Sequence, residues 1–202
     1  VTTDPHTLNT LKFEYPDFGG TYSVWHYSQL LSALFADGLL EARHPIGRRV
    51  TYHDPCYLAR YAAETAAPRE VLGALGAGLV EMPRNGTNTF CCGAGGGRIW
   101  MDDSGLTERP SEQRIREAAT LDGVTDFVTA CPKDLTMYTA AAKATGHGDR
   151  LAVRDLIELV ADAIGLPSED AAEVGPSDAT TALGERQEAA VAAVPGGGGT
   201  DA

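Results

Sequence analysis

Residues 126–135 read Asp126-Phe127-Val128-Thr129-Ala130-Cys131-Pro132-Lys133-Asp134-Leu135, a stretch that passes from a strand into a helix. Its first five residues form a short, mostly apolar run rich in β-branched and aromatic side chains, which predicts a strand over 126–130. From Leu135 onward apolar residues recur at helical spacing, which predicts a helix over 135–144. A strand that leads into a helix within a few residues is the repeating unit of α/β folds.

The same alternation continues through the rest of residues 1–166. Strands are also predicted over 49–53 and 78–82, and helices over 23–36, 68–75, 111–121 and 152–164. We therefore expect an α/β fold with a short, largely parallel sheet flanked by helices.

The chain also contains a weak internal repeat. Residues 1–8 match residues 128–135 at Val, Thr, Pro and Leu, and residues 24–31 resemble residues 153–160 at nearly the same offset. Two matches at nearly one offset predict an internal duplication, with chance similarity as the alternative. We interpret residues 1–40 as the closing end of a first module and residues 45–166 as a complete second module.

The last part of the chain, residues 167–202, is predicted to be a disordered acidic tail rich in alanine and glycine. It has no aromatic residue and contains seven acidic residues and one arginine. Such a composition buries too little apolar surface to offset the entropy lost on folding.

The charge of the chain bears on its partners and its environment. A net charge of −12, from 28 acidic and 16 basic residues, argues against nucleic-acid binding, because phosphates require basic patches. Only three of the basic residues are lysines, and an acidic, lysine-poor composition is typical of halophilic proteins. The alternative is that the tail, with half of the net charge, supplies the bias.

No apolar run approaches the roughly 20 residues that are needed to span a bilayer. The start, Val1–His6, does not resemble a secretion leader and reads as the interior of a longer chain. We therefore expect a soluble fragment of a larger protein.

Four cysteines are the candidate site: Cys56, Cys91, Cys92 and Cys131. Cys56 and Cys131 each follow a predicted strand, and the adjacent pair opens a glycine-rich run over 93–97. Because sites in open α/β sheets form beyond the carboxyl ends of strands, we expect three separate elements to bring sulfur to one place. The alternatives are buried structural thiols or disulfides.

Four thiolates could hold zinc or an iron–sulfur cluster. Structural zinc sites favour ligand pairs two to four residues apart, whereas these cysteines are widely spread. A cluster offers several irons, so neighbouring cysteines can bind different ones, and glycine backbone can approach its sulfides with amide hydrogens. A zinc-binding structural module without redox activity remains the alternative. A phosphate-binding loop is not expected, because no Gly-Lys-Ser/Thr follows the glycines.

The order of Cys56, the Cys91-Cys92-Gly93 triplet and Cys131-Pro132 resembles the cysteine-rich "CCG" domain of the heterodisulfide reductase family. That family includes glycolate oxidase iron–sulfur subunits, lactate-utilisation proteins and iron–sulfur reductases linked to electron-transfer flavoprotein. The flanking segments 52–58, 81–85 and 90–98 resemble the last of these branches, and the resemblance covers about residues 1–165.

The resemblance implies tandem CCG-type modules at the carboxyl-terminal end of a larger oxidoreductase. Electrons would pass between a flavin donor, in a dehydrogenase or an electron-transfer flavoprotein, and a quinone or disulfide acceptor. The partners would be that flavoprotein together with ferredoxin-type and membrane haem domains of the same larger protein. We accordingly expect a cytoplasmic location, at the inner face of the membrane where such domains would hold the chain.

Two departures from the family pattern concern the ligand sets. The pattern ends Cys-x-x-Cys, and Asp134 stands at the last position. Asp134 is therefore either an oxygen ligand in place of a fifth thiolate of the family's non-cubane cluster, or a cap on the following helix beside a four-cysteine 4Fe–4S cluster. In the first module, Asp4-Pro5-His6-Thr7 stands where relatives carry Cys-Pro-x-Cys, so we expect that module to be degenerate.

Three further residues are weighed beside the cysteines. His53, three residues before Cys56, is a candidate for an outer hydrogen bond or proton relay, and Arg98 is a candidate for balancing cluster charge. We expect His26, on a predicted amphipathic helix, to be structural.

Overall fold

Four parallel strands form the sheet at the centre of residues 1–166, the part of the chain that the computed structural model describes. The strands are β1 (Arg49–Tyr52), β2 (Gly78–Leu79), β3 (Val124–Thr129) and β4 (Ala152–Asp155). Their order in the sheet is β2-β1-β3-β4, with Val50 opposite Asp126 and Thr129 opposite Asp155 in the register.

Residues 1–166 contain six α-helices besides the sheet: α1 (Pro5–Asn9), α2 (Tyr27–Ala36), α3 (Ala66–Ala74), α4 (Pro110–Ala119), α5 (Pro132–Ala144) and α6 (Leu156–Ile164). Two π-helical turns, Thr10–Glu14 and Tyr57–Tyr61, and three 3₁₀ turns, Tyr15–Phe18, Gly86–Asn88 and Arg98–Trp100, complete the elements. None of the helices within residues 1–166 is long and apolar enough to cross a lipid bilayer.

The helices cover both faces of the sheet, because its central strands alternate their side chains between two cores. Val50 and Val128 face a core shared with α2, α3 and α6. Phe127, the neighbour of Val128, points to the opposite core, which is shared with α4 and α5. Side chains two residues apart share a face of a strand, so this alternation produces three layers. The predicted α/β fold with a parallel sheet flanked by helices is confirmed.

One predicted element is wrong. The helix predicted over 152–164 is divided into the edge strand β4 and the helix α6. Asp155 marks the division, because its backbone is extended and its side chain accepts a hydrogen bond from the Ile157 amide at 3.0 Å. The apolar spacing that predicted a helix belongs to α6 alone.

The predicted division into modules at residues 1–40 and 45–166 stays a prediction. Within residues 1–166, α2 contributes Tyr27 and Leu31 to the core on one face of the sheet. The predicted tail, 167–202, lies outside the described residues.

Candidate metal centre

Cys56 and Cys131 lie just beyond the carboxyl ends of the two central strands. The chain leaves β1 for β2 on one side of the sheet and leaves β3 for β4 on the other. Such a reversal opens a crevice between the two strand ends, which is where open α/β sheets bind their ligands. Cys56 is half-buried in this place and Cys131 is buried.

The backbone holds Cys131 at the start of a helix. Cys131 is the extended N-cap residue of α5, with φ −153° and ψ 126°, and Pro132 occupies the first helical position. Proline fits this position because its fixed φ is helical and no amide hydrogen is needed there. The Cys131 side chain makes no capping hydrogen bond, so its sulfur remains free for another partner.

Asp54 ties the segment that carries Cys56 to the segment that leads to the cysteine pair. Its buried carboxylate accepts hydrogen bonds from Arg69 at 2.7 and 2.9 Å and from the Gly86 amide at 2.7 Å. Its backbone carbonyl accepts a hydrogen bond from Thr89 Oγ1 at 2.7 Å. The exit from β1 and the loop before Cys91 are therefore fastened to one residue.

The cysteine pair lies in a turn whose amides point at sulfur. The Gly93 amide donates to Cys91 Sγ at 3.3 Å, and the Ala94 amide donates to Cys92 Sγ at 3.4 Å. Gly93 has φ +85°, and a Cβ there would lie 3.3 Å from Pro110 Cγ, so the turn requires glycine. Cys91 is exposed and Cys92 is buried, so the two sulfurs have different surroundings.

Cys91 is the common neighbour of the Cys56 and Cys92 thiols. The pKa of Cys91 is lowered to about 2, chiefly because the Cys56 and Cys92 thiols are close enough to donate to its thiolate. The same hydrogen bonds to Cys91, together with burial, raise the pKa of Cys56 and of Cys92 well above the usual range. Burial, followed by the charge of nearby Asp134, raises the pKa of Cys131 to about 12.

The distances between the sulfurs bear on the choice between a single zinc ion and an iron–sulfur cluster. Among residues 1–166, no three of the four cysteine sulfurs lie within 4.8 Å of one another. Zinc–sulfur bonds of about 2.3 Å in a tetrahedron place sulfurs about 3.8 Å apart. No three of these sulfurs are therefore already placed for one zinc ion, and four thiols on separate segments are a donor set that an iron–sulfur cluster accepts.

Asp134 is buried beside the cysteines and does not cap the helix. Because α5 begins at Pro132 and not at Leu135, Asp134 lies in its first turn. Asp134 Oδ2 is 3.4 Å from Thr129 Oγ1 and 3.5 Å from His53 Nε2. Burial raises the pKa of Asp134 to about 7, and a hydrogen bond with Cys92 lowers it in part.

A cluster that the sequence did not predict joins residues 1–9 to the site. One ligand atom each of Asp4, His6 and Cys131 lie within 4.8 Å of one another. Lys133 Nζ lies 3.1 Å from Asp4 Oδ1, so an ammonium group already occupies the cation position beside this carboxylate. His6 stacks against Tyr57, with ring centroids 4.1 Å apart, and places its side chain next to the glycine turn.

The other predicted residues have different surroundings. His53 is fully buried and hydrogen-bonded behind the cysteines. Arg98 already pairs with Asp103. His26 is the N-cap of α2 and accepts hydrogen bonds from Ser28 through Nδ1, as expected for a structural residue. The sequence reasoning missed Arg114, which is fully buried and donates to His53; its signal was a position on the same helical face as Ile115 and Ala118.

Comparisons with known proteins match the part of the chain that carries the four cysteines. Residues 50–137 match the family model of the cysteine-rich CCG domain. The chain is 39% identical over 165 residues to the probable iron-sulfur-binding oxidoreductase FadF of Bacillus subtilis, a match that covers 81% of this chain and 23% of that protein. It is 37% identical over 161 residues to the EtfAB:quinone oxidoreductase of Syntrophomonas wolfei, a match that covers 77% of this chain and 22% of that protein.

A third relative belongs to the dihydromethanophenazine:CoB–CoM heterodisulfide reductase of Methanosarcina barkeri, as one of its subunits. The identity is 36% over 149 residues, which cover 72% of this chain and 35% of that relative. The chain thus spans between a fifth and about a third of the length of these relatives. Together the matches support an iron–sulfur cofactor and an electron-transfer role. Residues 50–137 therefore form a cysteine-rich CCG domain, and the chain is similar to iron–sulfur-binding oxidoreductases.

Proposed function

We propose that this chain holds an iron–sulfur cluster through Cys56, Cys91, Cys92 and Cys131 and passes electrons between a flavin donor and a quinone or disulfide acceptor. The observation that carries the proposal is that Cys56 and Cys92 each approach Cys91 beyond the central strands, at the edge of the sheet where Cys131 also lies. The bound cluster would supply one-electron transfer, which amino-acid side chains alone do not provide.

The residues around the sulfurs favour such a group. The Gly93 and Ala94 amides donate to the sulfurs of the cysteine pair, and amide donors to sulfur stabilise the more negative, reduced form of a cluster. Exposure of Cys91 brings one edge of the centre to the surface, where a redox partner could approach.

Asp134 belongs to the proposed ligand set as an oxygen ligand. Its carboxyl group is buried and close to Cys92, and it is not used for helix capping. A carboxylate is a harder and poorer donor to iron than a thiolate, so this position would be the weakest bond of the set.

The donor, acceptor and location are proposed from the relatives. The likeness to an EtfAB:quinone oxidoreductase supports a flavoprotein donor and a quinone acceptor, and the likeness to part of a heterodisulfide reductase supports a disulfide acceptor. Because the chain spans only part of their length, ferredoxin-type and membrane haem domains would lie in the same larger protein. We propose a cytoplasmic location at the inner face of the membrane.

Anaerobic purification followed by iron, sulfide and zinc analysis tests the proposal. We expect iron and sulfide with broad visible absorption, and we expect Cys91→Ser and Cys92→Ser to lose iron while the far-ultraviolet circular dichroism stays close to wild type. Met82→Leu is the matched control, because Met82 is a buried sulfur residue of the same core as Cys92 and this change conserves volume.

Two results would contradict the proposal. Stoichiometric zinc in a colourless protein would favour a structural module without redox activity. Full iron content and unchanged spectra in both serine variants would show that the cysteine pair does not bind the cluster.

A further inference from the structure

Arg114 is a charged residue buried without adequate compensation. It is the largest fully buried side chain within residues 1–166. Its Nε donates to His53 Nδ1 at 3.2 Å, but Nη1 and Nη2 make no hydrogen bond with any described residue. Nη1 does lie 3.0 Å from Glu117 Oε1, an ion-pair distance without hydrogen-bond geometry. Burying a guanidinium costs several kcal/mol unless a negative charge offsets it.

Glu117 does not supply enough negative charge. The same carboxylate accepts hydrogen bonds from the Arg84 side chain at 2.8 and 2.5 Å and from the Arg84 amide at 3.1 Å. One carboxylate therefore faces two guanidinium groups, of which the Arg84 group is partly exposed to solvent and the Arg114 group is fully buried. Arg114 thus has no carboxylate of its own.

The bond to Arg114 fixes the tautomer of His53. An arginine Nε always donates, so His53 Nδ1 must be the acceptor and the ring proton must be on Nε2. Burial, and next the positive charge of Arg114, lower the pKa of His53 well below its usual value, which keeps the ring neutral. The packing of His53 against Phe127 and Tyr138 holds the ring in this orientation.

The fixed proton on His53 points toward the cysteine site. His53 Nε2 lies 3.1 Å from the Tyr138 hydroxyl oxygen and 3.5 Å from Asp134 Oδ2. Asp134 in turn approaches Cys92. A buried row of neighbouring polar groups therefore runs from the guanidinium through the imidazole to the carboxyl group beside the sulfurs, and its His53–Asp134 step is longer than a hydrogen bond.

We propose that Arg114 and His53 are positioning residues for the cluster. Arg114 places a permanent positive charge behind the cysteines, and the pair orients Asp134 toward them. This inference rests on the proposed function, because the cluster and its thiolates are the negative charge that compensates the guanidinium. A buried positive charge favours the reduced form of the cluster and so raises its reduction potential.

Four variants of the reconstituted protein test the proposal. Arg114→Met removes the charge at similar length, and Arg114→Lys keeps it. His53→Gln keeps a polar side chain but removes the fixed imidazole proton. Ile115→Ala is the control, because Ile115 is equally buried on the same helix and its truncation destabilises the core without changing charge. The measurements are midpoint potential, electron paramagnetic resonance spectrum, iron content and melting temperature.

The potential and the spectrum distinguish positioning from packing. We expect Arg114→Met to shift the midpoint potential to more negative values and Arg114→Lys to recover most of that shift. We expect His53→Gln to change the spectrum, because Asp134 loses its neighbour. Ile115→Ala should lower the melting temperature and leave both signals unchanged. If Arg114→Met does not fold, the comparison of Arg114→Lys and His53→Gln with wild type remains.

Wild-type potential and spectrum in Arg114→Met and His53→Gln, with only their stability lowered, would overturn the proposal. The nitrogen-15 spectrum of His53 provides a second test, since a ring protonated on Nδ1 would also overturn it. A wild-type protein that carries zinc and no iron would instead refute the proposed function.

Discussion

Two opposing effects act on the pKa of the Asp134 carboxyl group. Its place in the first turn of α5 favours the ionised form, because helix N-termini attract negative charge. Its burial favours the neutral form, and the pKa near 7 shows that burial has the larger effect. A carboxyl group held in this condition beside thiols would gain from metal binding, which replaces the lost solvation of its charge.

Replacing this carboxylate by a thiolate tests whether it is a ligand. We expect Asp134→Cys to change the electron paramagnetic resonance spectrum and the reduction potential, because thiolate donates more electron density to iron than carboxylate does. Asp134→Asn is the control that keeps the shape and removes the charge. If Asp134→Cys leaves the spectrum as it was and only lowers the melting temperature, Asp134 is not a ligand.

The sequence identified residues whose role follows from their residue type and their order in the chain. It missed residues whose role depends on packing against distant parts of the chain. The four cysteines were recognisable because two follow predicted strands and the adjacent pair opens a glycine-rich run. His6 could not be placed, because its neighbours Tyr57 and Cys131 are distant in the chain. Arg114 was overlooked because a charged residue is expected on the exposed face of a helix.

At the level of elements, helix starts depend on single capping residues that apolar spacing does not show. The helix predicted from residue 23 begins at Tyr27, because His26 caps it. The Gln29 side chain in turn accepts a hydrogen bond from the His26 amide at 3.0 Å, which completes a capping box. β4 was missed for a similar reason, because pairing with β3 and the cap at Asp155 outweigh the helical pattern.

The cap at His26 should make stability depend on pH. Burial lowers the pKa of His26 from 6.5 to about 4, so the folded chain prefers the neutral ring, whose Nδ1 accepts the capping bonds. Its contribution is present above pH 6.5 and is lost as the pH falls through about 4. By linkage, that loss is about 3 kcal/mol.

Urea unfolding of wild type and His26→Asn at several pH values between 7 and 4 checks this expectation. Asparagine is a good N-cap that does not titrate, so the variant should lose less stability on acidification. Buried acids such as Asp134 affect both proteins alike, and the difference between the two curves isolates His26. Parallel curves would show that the pKa of His26 is the same in the folded and unfolded chains, which would contradict the expectation.

At the scale of the whole molecule, strand pairing supports the proposed duplication. An isolated parallel bridge joins Thr2 and His26, and these residues correspond in the repeat to Thr129 and Asp155, which pair in parallel at the end of β3 and β4. Asp4 caps α1 before Pro5 in the same way that Cys131 precedes Pro132. We propose on these grounds that residues 1–40 close a first, degenerate module.

Charge is the other property of the whole chain that can be tested. The net charge of −12 should destabilise the fold through repulsion at low salt, and salt should screen it. Only three of the 16 basic residues are lysines, a composition typical of proteins adapted to high salt. If the chain is adapted in this way, the melting temperature should rise on addition of KCl and continue to rise above about 1 M. Ordinary screening is nearly complete there, since the Debye length is about 3 Å.

A variant that ends at Leu166 separates the two sources of this effect. Residues 167–202 carry seven acidic residues and one arginine, half of the net charge, so screening of the tail should affect only the low-salt part of the curve. We therefore expect the shortened chain to show a smaller rise below about 0.5 M KCl and the same rise as the full chain above about 1 M. Melting curves followed by circular dichroism measure both ranges. Carboxylates that only repel one another give no further gain in stability once salt has screened their charges. A melting temperature that stays constant above about 1 M KCl in both proteins would therefore contradict salt adaptation of residues 1–166.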